Sequence, residues 1–266
     1  FTFSSLDAFL AGQPLIYRVT RGDPNLDVSQ LDTAGFLQTD WRLSRRFTFF
    51  AGLRYSRQTN LSDNNNVDPR VGFAYSLGSS TVLRGGAGLF HQSLFLGLYE
   101  DVVRLDGTRR FDLEVSNPGY PDPFADGDTT VIPPSSRRLF APDLAAPYSA
   151  QASLSVERTL PWNIQLDASY DFQRGYNRFR TININAPLPG ETEVPDPTEG
   201  RILQLESKGR SRSQNLRVGF RQRLTFLTYT ASYSWSSAYD DGEGAFYVPM
   251  NSYDPGADWG RAGFNR

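Results

Sequence analysis

The sequence predicts an all-β protein whose strands form an antiparallel transmembrane β-barrel, and three observations support this fold class. Residues 227–236 alternate between apolar or aromatic residues and hydroxyl-bearing residues, which is the two-residue period of a strand with one apolar and one hydrophilic face. Similar alternation recurs along the chain. Pairs of alternating segments are joined by short turns, and successive pairs are joined by long polar connections. These features predict about eight strands in four hairpins, each strand approaching the ~9 to 11 residues that cross a bilayer.

Composition narrows the possible functions of the chain. The 266 residues include no cysteine and one histidine, and the chain has a formal net charge of -2. A membrane helix needs about 18 uninterrupted apolar residues, and the sequence contains no apolar stretch close to this length. Residence in a membrane would therefore require a barrel. Arginines interspersed with acidic residues argue against a nucleic acid partner. We predict no catalytic residue, no cofactor and no bound metal, and therefore no enzyme.

Two local patterns resemble ligand sites but fall short of them. Gly86 and Gly88 follow a strand, as in a dinucleotide-binding turn, but His91 occupies the third glycine position. Two loops also offer oxygen ligands that suit calcium, although neither has the residue order of an EF-hand. Solvated loop acids are the favoured interpretation for these residues, which are Asp122, Asp126, Asp128, Asp240, Asp241 and Glu243.

The first half of the chain predicts two hairpins after a short amino-terminal region. Residues 4–10 have a helical pattern, residues 15–20 can be extended, and residues 23–25 favour a turn. The first hairpin joins a strand over residues 27–43 to one over residues 47–55. The second joins residues 71–77 to residues 81–91 across the turn 78–80. Several glycines on its polar side predict bends or the close approach of other backbone.

The second half predicts two more hairpins and a clear difference between the two ends of the strands. Strands over residues 148–158 and 164–172 meet at a turn near Pro161, and residues 216–220 and 227–236 meet near Leu224. All short turns then lie at one end. The long connections 92–147 and 175–210 lie at the other end, and the first of these could contain a further hairpin around residues 109–115. Short periplasmic turns and long external loops are typical of bacterial outer-membrane barrels.

Alternation assigns individual side chains to the two faces of this barrel. A charge that faces lipid at the bilayer midplane costs ~2 to 4 kcal/mol, so charged residues in the strands should face the lumen. The predicted lumen-facing residues, which would contact a plug or solute, are Arg54, Arg70, Arg84, Glu157, Asp167, Arg217 and Arg221. The predicted lipid-facing residues are Leu53, Phe73, Leu83, Leu154, Leu166, Val218, Tyr229, Tyr233 and Trp235.

Several of these strands resemble a known family. Residues 68–77, 81–90, 148–158 and 229–241 are similar to barrel strands of TonB-dependent outer-membrane transporters, and most similar to the Oar-like branch. The resemblance implies a 22-stranded barrel, an amino-terminal plug inside it, and uptake driven by the TonB energy-coupling complex. It carries over no functional residue. Expected partners are therefore outer-membrane lipid, a plug domain of the same protein, the TonB complex and an unknown nutrient ligand.

We expect residues 1–266 to be part of a single barrel domain of this kind, without its plug and remaining strands. Such a fragment alone would form an open curved sheet. Two other classes of protein also fit the pattern. One is a plugless outer-membrane barrel, such as a porin, an adhesin or a small anchor. The other is a soluble β-sandwich that binds a ligand such as a carbohydrate.

Overall fold

Twelve strands and two helices make up the described part of the chain. The structure is a computed structural model that describes residues 1–23, 25–125, 136–242 and 244–263. The helices are α1 (Leu6–Leu10) and α2 (Leu96–Arg104), and a short 3-10 helix covers Pro255–Asp258. The strands are β1 (Ile16–Gly22), β2 (Asp32–Arg42), β3 (Phe47–Gln58), β4 (Val67–Leu77), β5 (Thr81–His91), β6 (Arg110–Ser116), β7 (Arg137–Phe140), β8 (Tyr148–Leu160), β9 (Ile164–Asn183), β10 (Ile202–Arg223), β11 (Thr228–Asp240) and β12 (Gly260–Arg261).

Nine strands form one open sheet in the order β12-β11-β10-β9-β8-β5-β4-β3-β2, and β7 joins it beside β10. Neighbours along this order are antiparallel. The four predicted hairpins are confirmed as β2-β3, β4-β5, β8-β9 and β10-β11. The sheet does not close within the described residues, as expected for a fragment. Its two edges are β2 and β11, the latter covered only at its end by β12.

The four hairpin turns have the local chemistry that reverses a chain quickly. The Ser44 hydroxyl accepts hydrogen bonds from the amides of Arg46 and Phe47, at 3.2 and 3.1 Å. Between β8 and β9, Trp162 and Asn163 have φ angles of 63° and 55°. A left-handed turn of this kind matches the right-handed twist of two hairpin strands. All four turns therefore lie at one end of the sheet, as predicted.

The predicted loop over residues 175–210 is wrong for half of its length. β9 continues to Asn183 and β10 begins at Ile202, so both strands run beyond the rest of the sheet. We call residues 175–183 of β9 and 202–210 of β10 the arm. Register shifts between Glu206 and Ser211 break the two-residue alternation there, which is why the sequence pattern failed to predict it. The true loop is only residues 184–201.

One other expectation needs correction, because the strand predicted over residues 27–43 begins later, with β2 at Asp32. The sequence left open whether residues 109–115 form a further hairpin within their own connection. In the structure, β6 pairs with β1, far away in sequence, and the pair forms a separate two-stranded sheet. Aromatic side chains pack beside this small sheet, with ring centroids of Phe1 and Tyr17 4.7 Å apart.

The buried apolar cluster of the described residues lies at the arm and not in the main sheet. Leu94, Leu98 and Val102, in and just before α2, pack against Leu205 of β10. β7 lies parallel to β10 over residues 202–205, so the long connection 92–147 supplies both a helix and a strand to the arm. No helix in the described ranges has the length and apolar content that crossing a membrane requires.

A glycine in the arm should be sensitive to substitution. A Cβ atom at Gly209 would lie 2.8 Å from the Arg178 carbonyl oxygen, whereas one at Gly35 would have no neighbour within 4 Å. Forcing extra volume into a packed site costs ~1 to 3 kcal/mol. We expect Gly209→Ala to lower the unfolding temperature of the full-length protein, measured by heat-modifiable gel migration. The matched control Gly35→Ala should leave it unchanged or raise it slightly, and equal effects would contradict this packing.

Candidate functional site

The strand registers sort the side chains of the main sheet onto two faces. Directly opposed residues of an antiparallel pair share a face, and alternate residues along one strand do too. One face, which we call the polar face, carries Arg54, Arg70, Arg84, Glu157, Asp167, Arg217 and Arg221. The opposite face, which we call the apolar face, carries Leu53, Phe73, Leu83, Leu154, Leu166, Val218, Tyr229, Tyr233 and Trp235. Whether these faces meet lumen and lipid stays a prediction.

A broad groove of about 620 Å³ follows the polar face. Side chains from β3 at one side and from β11 at the other line this same groove, so the sheet curves toward its polar face. The lining residues include eight with amide or hydroxyl side chains, three phenylalanines, one arginine and one exposed carboxylate. They include Phe50, Arg70, Phe90, Gln151, Asp171, Gln173, Asn215 and Ser236.

Phe50 interrupts the alternation of β3, and the groove gives the reason. The Phe50 ring lies on the polar face. It packs over Gly52 of its own strand and Gly72 of β4, in the space that a side chain at either glycine would occupy. A Cβ atom at Gly72 would lie 3.5 Å from the Phe50 ring. The sequence predicted other backbone near such glycines, and the Gly72 Cβ position lies 3.3 Å from the Gly85 carbonyl oxygen as well as beside the Phe50 ring, which forms part of the groove floor.

Arg70 is the charged residue held most firmly on the polar face. Its guanidinium carbon lies 4.7 Å from the centre of the Phe90 ring, within cation–π range. Its Nε atom is buried and has no hydrogen-bond partner within the described chain. A buried guanidinium nitrogen without an acceptor is costly. Arg70 thus offers a donor that a further chain or a ligand in the groove could satisfy.

Some of the other predicted residues of the polar face contact one another, and others line separate cavities. Arg84 forms an ion pair with Glu157 at 2.7 Å, and Glu157 lies directly opposite Asp167. Because the Arg84 and Glu157 side chains are about half exposed, this pair contributes only ~0 to 1 kcal/mol. Arg54 and Arg70 line a smaller cavity of about 210 Å³. Arg221 lines a polar cavity of about 450 Å³ together with Arg223, near the turn between β8 and β9.

A buried ion cluster holds the arm together, and the sequence did not predict it. Arg180 of β9 donates to Glu206 of β10 at 2.6 Å, and it lies 3.4 Å from Asp241, which follows β11. The Arg210 amide also donates to Asp241, at 2.6 Å. The side chains of Arg180, Glu206 and Asp241 are 9%, 4% and 2% exposed. No local spacing could have identified the cluster, because its members come from three strands.

The loop beyond the arm is also tightly organised. Asn185 spans it, since its side-chain nitrogen donates to the carbonyl oxygens of Asp196, Glu199 and Gly200 at 2.8 to 3.1 Å. The Asp196 carboxylate accepts hydrogen bonds from the Thr198 hydroxyl and amide at 2.6 and 2.9 Å. These two bonds lower the pKa of Asp196 below its usual value. The long-loop end of the sheet thus has a defined shape.

The acidic loops considered for calcium do not form a metal cluster among the residues that the structure describes. Asp241 is instead bound by the two arginines, and the Asp240 carboxylate accepts a hydrogen bond from the Gly242 amide at 3.3 Å. Asp126, Asp128 and Glu243 lie outside the described residues. His91 is the last residue of β5. Its ring Nδ1 lies 2.7 Å from the buried Asp68 carboxylate, so this contact links the end of β5 to β4.

Comparison with known proteins gives one family and a set of related folds. The profile of the outer membrane beta barrel domain matches residues 1–67 and 56–266, which together cover the chain. No curated protein matches the sequence. The expected resemblance to outer-membrane transporter barrels is confirmed for the fold by the solved structures.

Two solved structures show this likeness. The outer membrane transporter YddB from Escherichia coli has a TM-score of 0.59 and 14% identity, over 84% of this chain and 27% of that one. The FrpB iron transporter from Neisseria meningitidis, in its F3-3 variant, has a TM-score of 0.50 and 13% identity, over 79% of this chain and 26% of that one. The chain therefore spans about a quarter of the length of either transporter.

The ion cluster of the arm provides a test. Removing one partner of a buried ion pair costs roughly 3 to 5 kcal/mol, because the other charge stays buried without compensation. We expect Arg180→Met to loosen the arm and to make residues 184–201 of the full-length protein several-fold more sensitive to proteinase K. Lys208→Met is the matched control, since the Lys208 side chain is 58% exposed and its ion pairs are long. Equal protection in both variants would contradict a role of the cluster in stability.

Proposed function

Because the chain belongs to the outer membrane beta barrel domain family, we propose that it is part of the wall of a TonB-dependent transporter. Its location is the outer membrane of a Gram-negative bacterium. The observation that carries the proposal is the separation of side chains along the middle of the strands, where the predicted charged residues share one face of the curved sheet and large apolar residues share the other. A soluble sandwich would bury one of these faces, but large apolar side chains such as Trp235 and Val218 stay exposed here, at 45% each.

The proposed orientation places the polar face toward the lumen and the apolar face toward lipid. An arginine at the bilayer midplane that faces lipid costs ~2 to 4 kcal/mol. Three arginines near the middle of the strands, Arg54, Arg84 and Arg217, would each carry this cost in the opposite orientation. The concave side of a barrel wall is its lumen, and the groove lies on the same face as these arginines.

Inside the lumen, the polar face would hold a plug domain of the same protein. The groove supplies amide and hydroxyl groups for hydrogen bonds, and Arg70 supplies a buried donor that still needs an acceptor. Energy from the TonB complex would move the plug and open a path for a nutrient ligand. The arm and its loop, at the end opposite the short turns, are where this ligand would first bind. We infer that residues 1–266 lie within one such barrel domain.

The proposal includes neither a reaction nor a nucleic acid partner. The solved structures of this fold are transporters, and not members of an enzyme family. The chain has a formal net charge of only -2, and its arginines lie beside carboxylates or aromatic rings in several places. A continuous basic track along a groove, which binding of a nucleic acid backbone requires, is not found in the described ranges.

Two neighbouring residues can test the orientation of the wall. Leu83 and Arg84 have nearly the same depth in β5 but point to opposite faces. An environment-sensitive dye attached at Leu83→Cys should be quenched several-fold by nitroxide-labelled lipids, whereas the dye at Arg84→Cys should not. The measurement uses the full-length protein in lipid vesicles, without other cysteines. Stronger quenching at position 84 would reverse the orientation and contradict the proposal.

Transport itself requires a test in the native host. Strains that lack the full-length protein, or that lack TonB, should share a growth defect on the same member of a panel of single carbon and iron sources. The gene for the full-length protein should restore growth only where TonB is present. If restoration does not depend on TonB, the protein is a plugless barrel instead.

A further inference from the structure

A row of arginines crosses the apolar face at its long-loop end. The registers place Arg174 of β9 directly opposite Arg212 of β10, Arg212 opposite Tyr239 of β11, and Tyr239 opposite Arg261 of β12. The three arginine side chains are exposed. Four neighbouring strands therefore present three guanidinium groups and one phenol in a single row across the strands.

These charges lack the carboxylates that balance arginines elsewhere in the sheet. None of the three forms an ion pair in the part of the chain that the structure describes, whereas the nearby Arg180 and Arg210 both bind Asp241. Like charges directly opposite each other destabilise a sheet. An anion bound between Arg174 and Arg212 would relieve this repulsion.

Aromatic rings hold two of these arginines in place. The Arg174 guanidinium lies 5.2 Å from the centre of the Tyr176 ring, and the Arg212 guanidinium lies 5.8 Å from that of Phe172. Each ring belongs to β9 and lies on the apolar face. Because the rings restrict the arginine side chains, less conformational entropy is lost when an anion binds.

The height of the row matches a headgroup layer. On β10, Arg212 lies about ten residues from Gln222, roughly 34 Å along the strand at ~3.4 Å per residue. A strand tilt of ~40° makes this about 26 Å of vertical height, close to the ~25 Å apolar band of outer-membrane barrels. Between the two levels the same face is mainly apolar, with Leu154, Leu166, Val218, Tyr233 and Trp235. The arginine row thus lies at the outer edge of the hydrocarbon layer.

We propose that Arg174, Arg212 and Arg261 form a binding site for the phosphate groups of lipopolysaccharide in the outer leaflet. The site faces away from the lumen and is distinct from the transport path. The proposal rests on the proposed orientation of the wall. Guanidinium groups bind phosphate through paired, charge-assisted hydrogen bonds, and the Tyr239 hydroxyl adds a further donor within the row.

The test compares phosphorylated and dephosphorylated lipopolysaccharide as probes. Both are titrated against the full-length protein in mild detergent, after washing has removed bound lipid. We expect the phosphorylated form to bind about tenfold or more tightly than the dephosphorylated form. The double variant Arg174→Gln with Arg212→Gln should lose this preference, and the double variant with lysine at both positions should keep most of it.

Arg158 supplies a matched control. It lies on the same apolar face of β8, but near the short turns, at the level of the inner leaflet. Arg158→Gln should therefore bind phosphorylated lipopolysaccharide as the unchanged protein does. An equal loss in this variant, or no loss in the glutamine double variant, would overturn the proposal. So would equally tight binding of phosphatidylglycerol vesicles, which would reassign the site to phospholipid.

Heat-modifiable gel migration separates this proposal from the one on function. A heat-modifiable protein that shows no phosphate preference remains a barrel but lacks the lipopolysaccharide site. If the unchanged protein has no heat-modifiable form, the barrel orientation fails, and the site fails with it. Each variant is compared only when its folded band is intact, and the lysine variant provides the comparison if the glutamine variant does not fold.

Discussion

Backbone hydrogen bonds between neighbouring strands are the interaction on which this structure depends. The main sheet has no buried apolar core of its own in the described ranges, since the buried cluster around Leu94 and Leu205 lies at the arm. The ladder of backbone hydrogen bonds must therefore hold neighbouring strands together in their register. It also leaves β2 and most of β11 as free edges. Each unpaired backbone group in hydrocarbon costs several kcal/mol, so both edges would need partner strands in a membrane.

The same ladder decides what each face can do. Because opposed residues share a face, the two-residue period of single strands becomes rows of side chains across the whole sheet. On the polar face these rows form a groove whose polar groups are amides, hydroxyls, Arg70 and Asp171. On the apolar face they form a band that suits lipid, with the arginine row at one edge. Contacts of the polar face and contacts of the apolar face can thus vary independently in the same strands.

The two ends of the sheet are stabilised in different ways. At one end, tight turns need only local hydrogen bonds, such as those of Ser44. At the other, the arm combines an apolar cluster, a parallel strand and a buried ion cluster. Asn185 then orders the loop beyond it. This end resembles the interior of a soluble domain in its packing, and a preformed shape lowers the entropy cost of binding a ligand.

The sequence by itself determined the strand period, the four hairpins and the shared face of the seven charged residues assigned to the polar side. These features depend on neighbours along the chain, as in residues 227–236, and on turns such as 78–80. Only the tertiary structure decided the arm, the ion cluster of Arg180 and the arginine row. Their members come from different strands, and the register shifts near Gly209 erase the alternation that would have shown a strand there. Pairing between Arg174 and Arg212 follows from the alignment of β9 with β10, which no local pattern encodes.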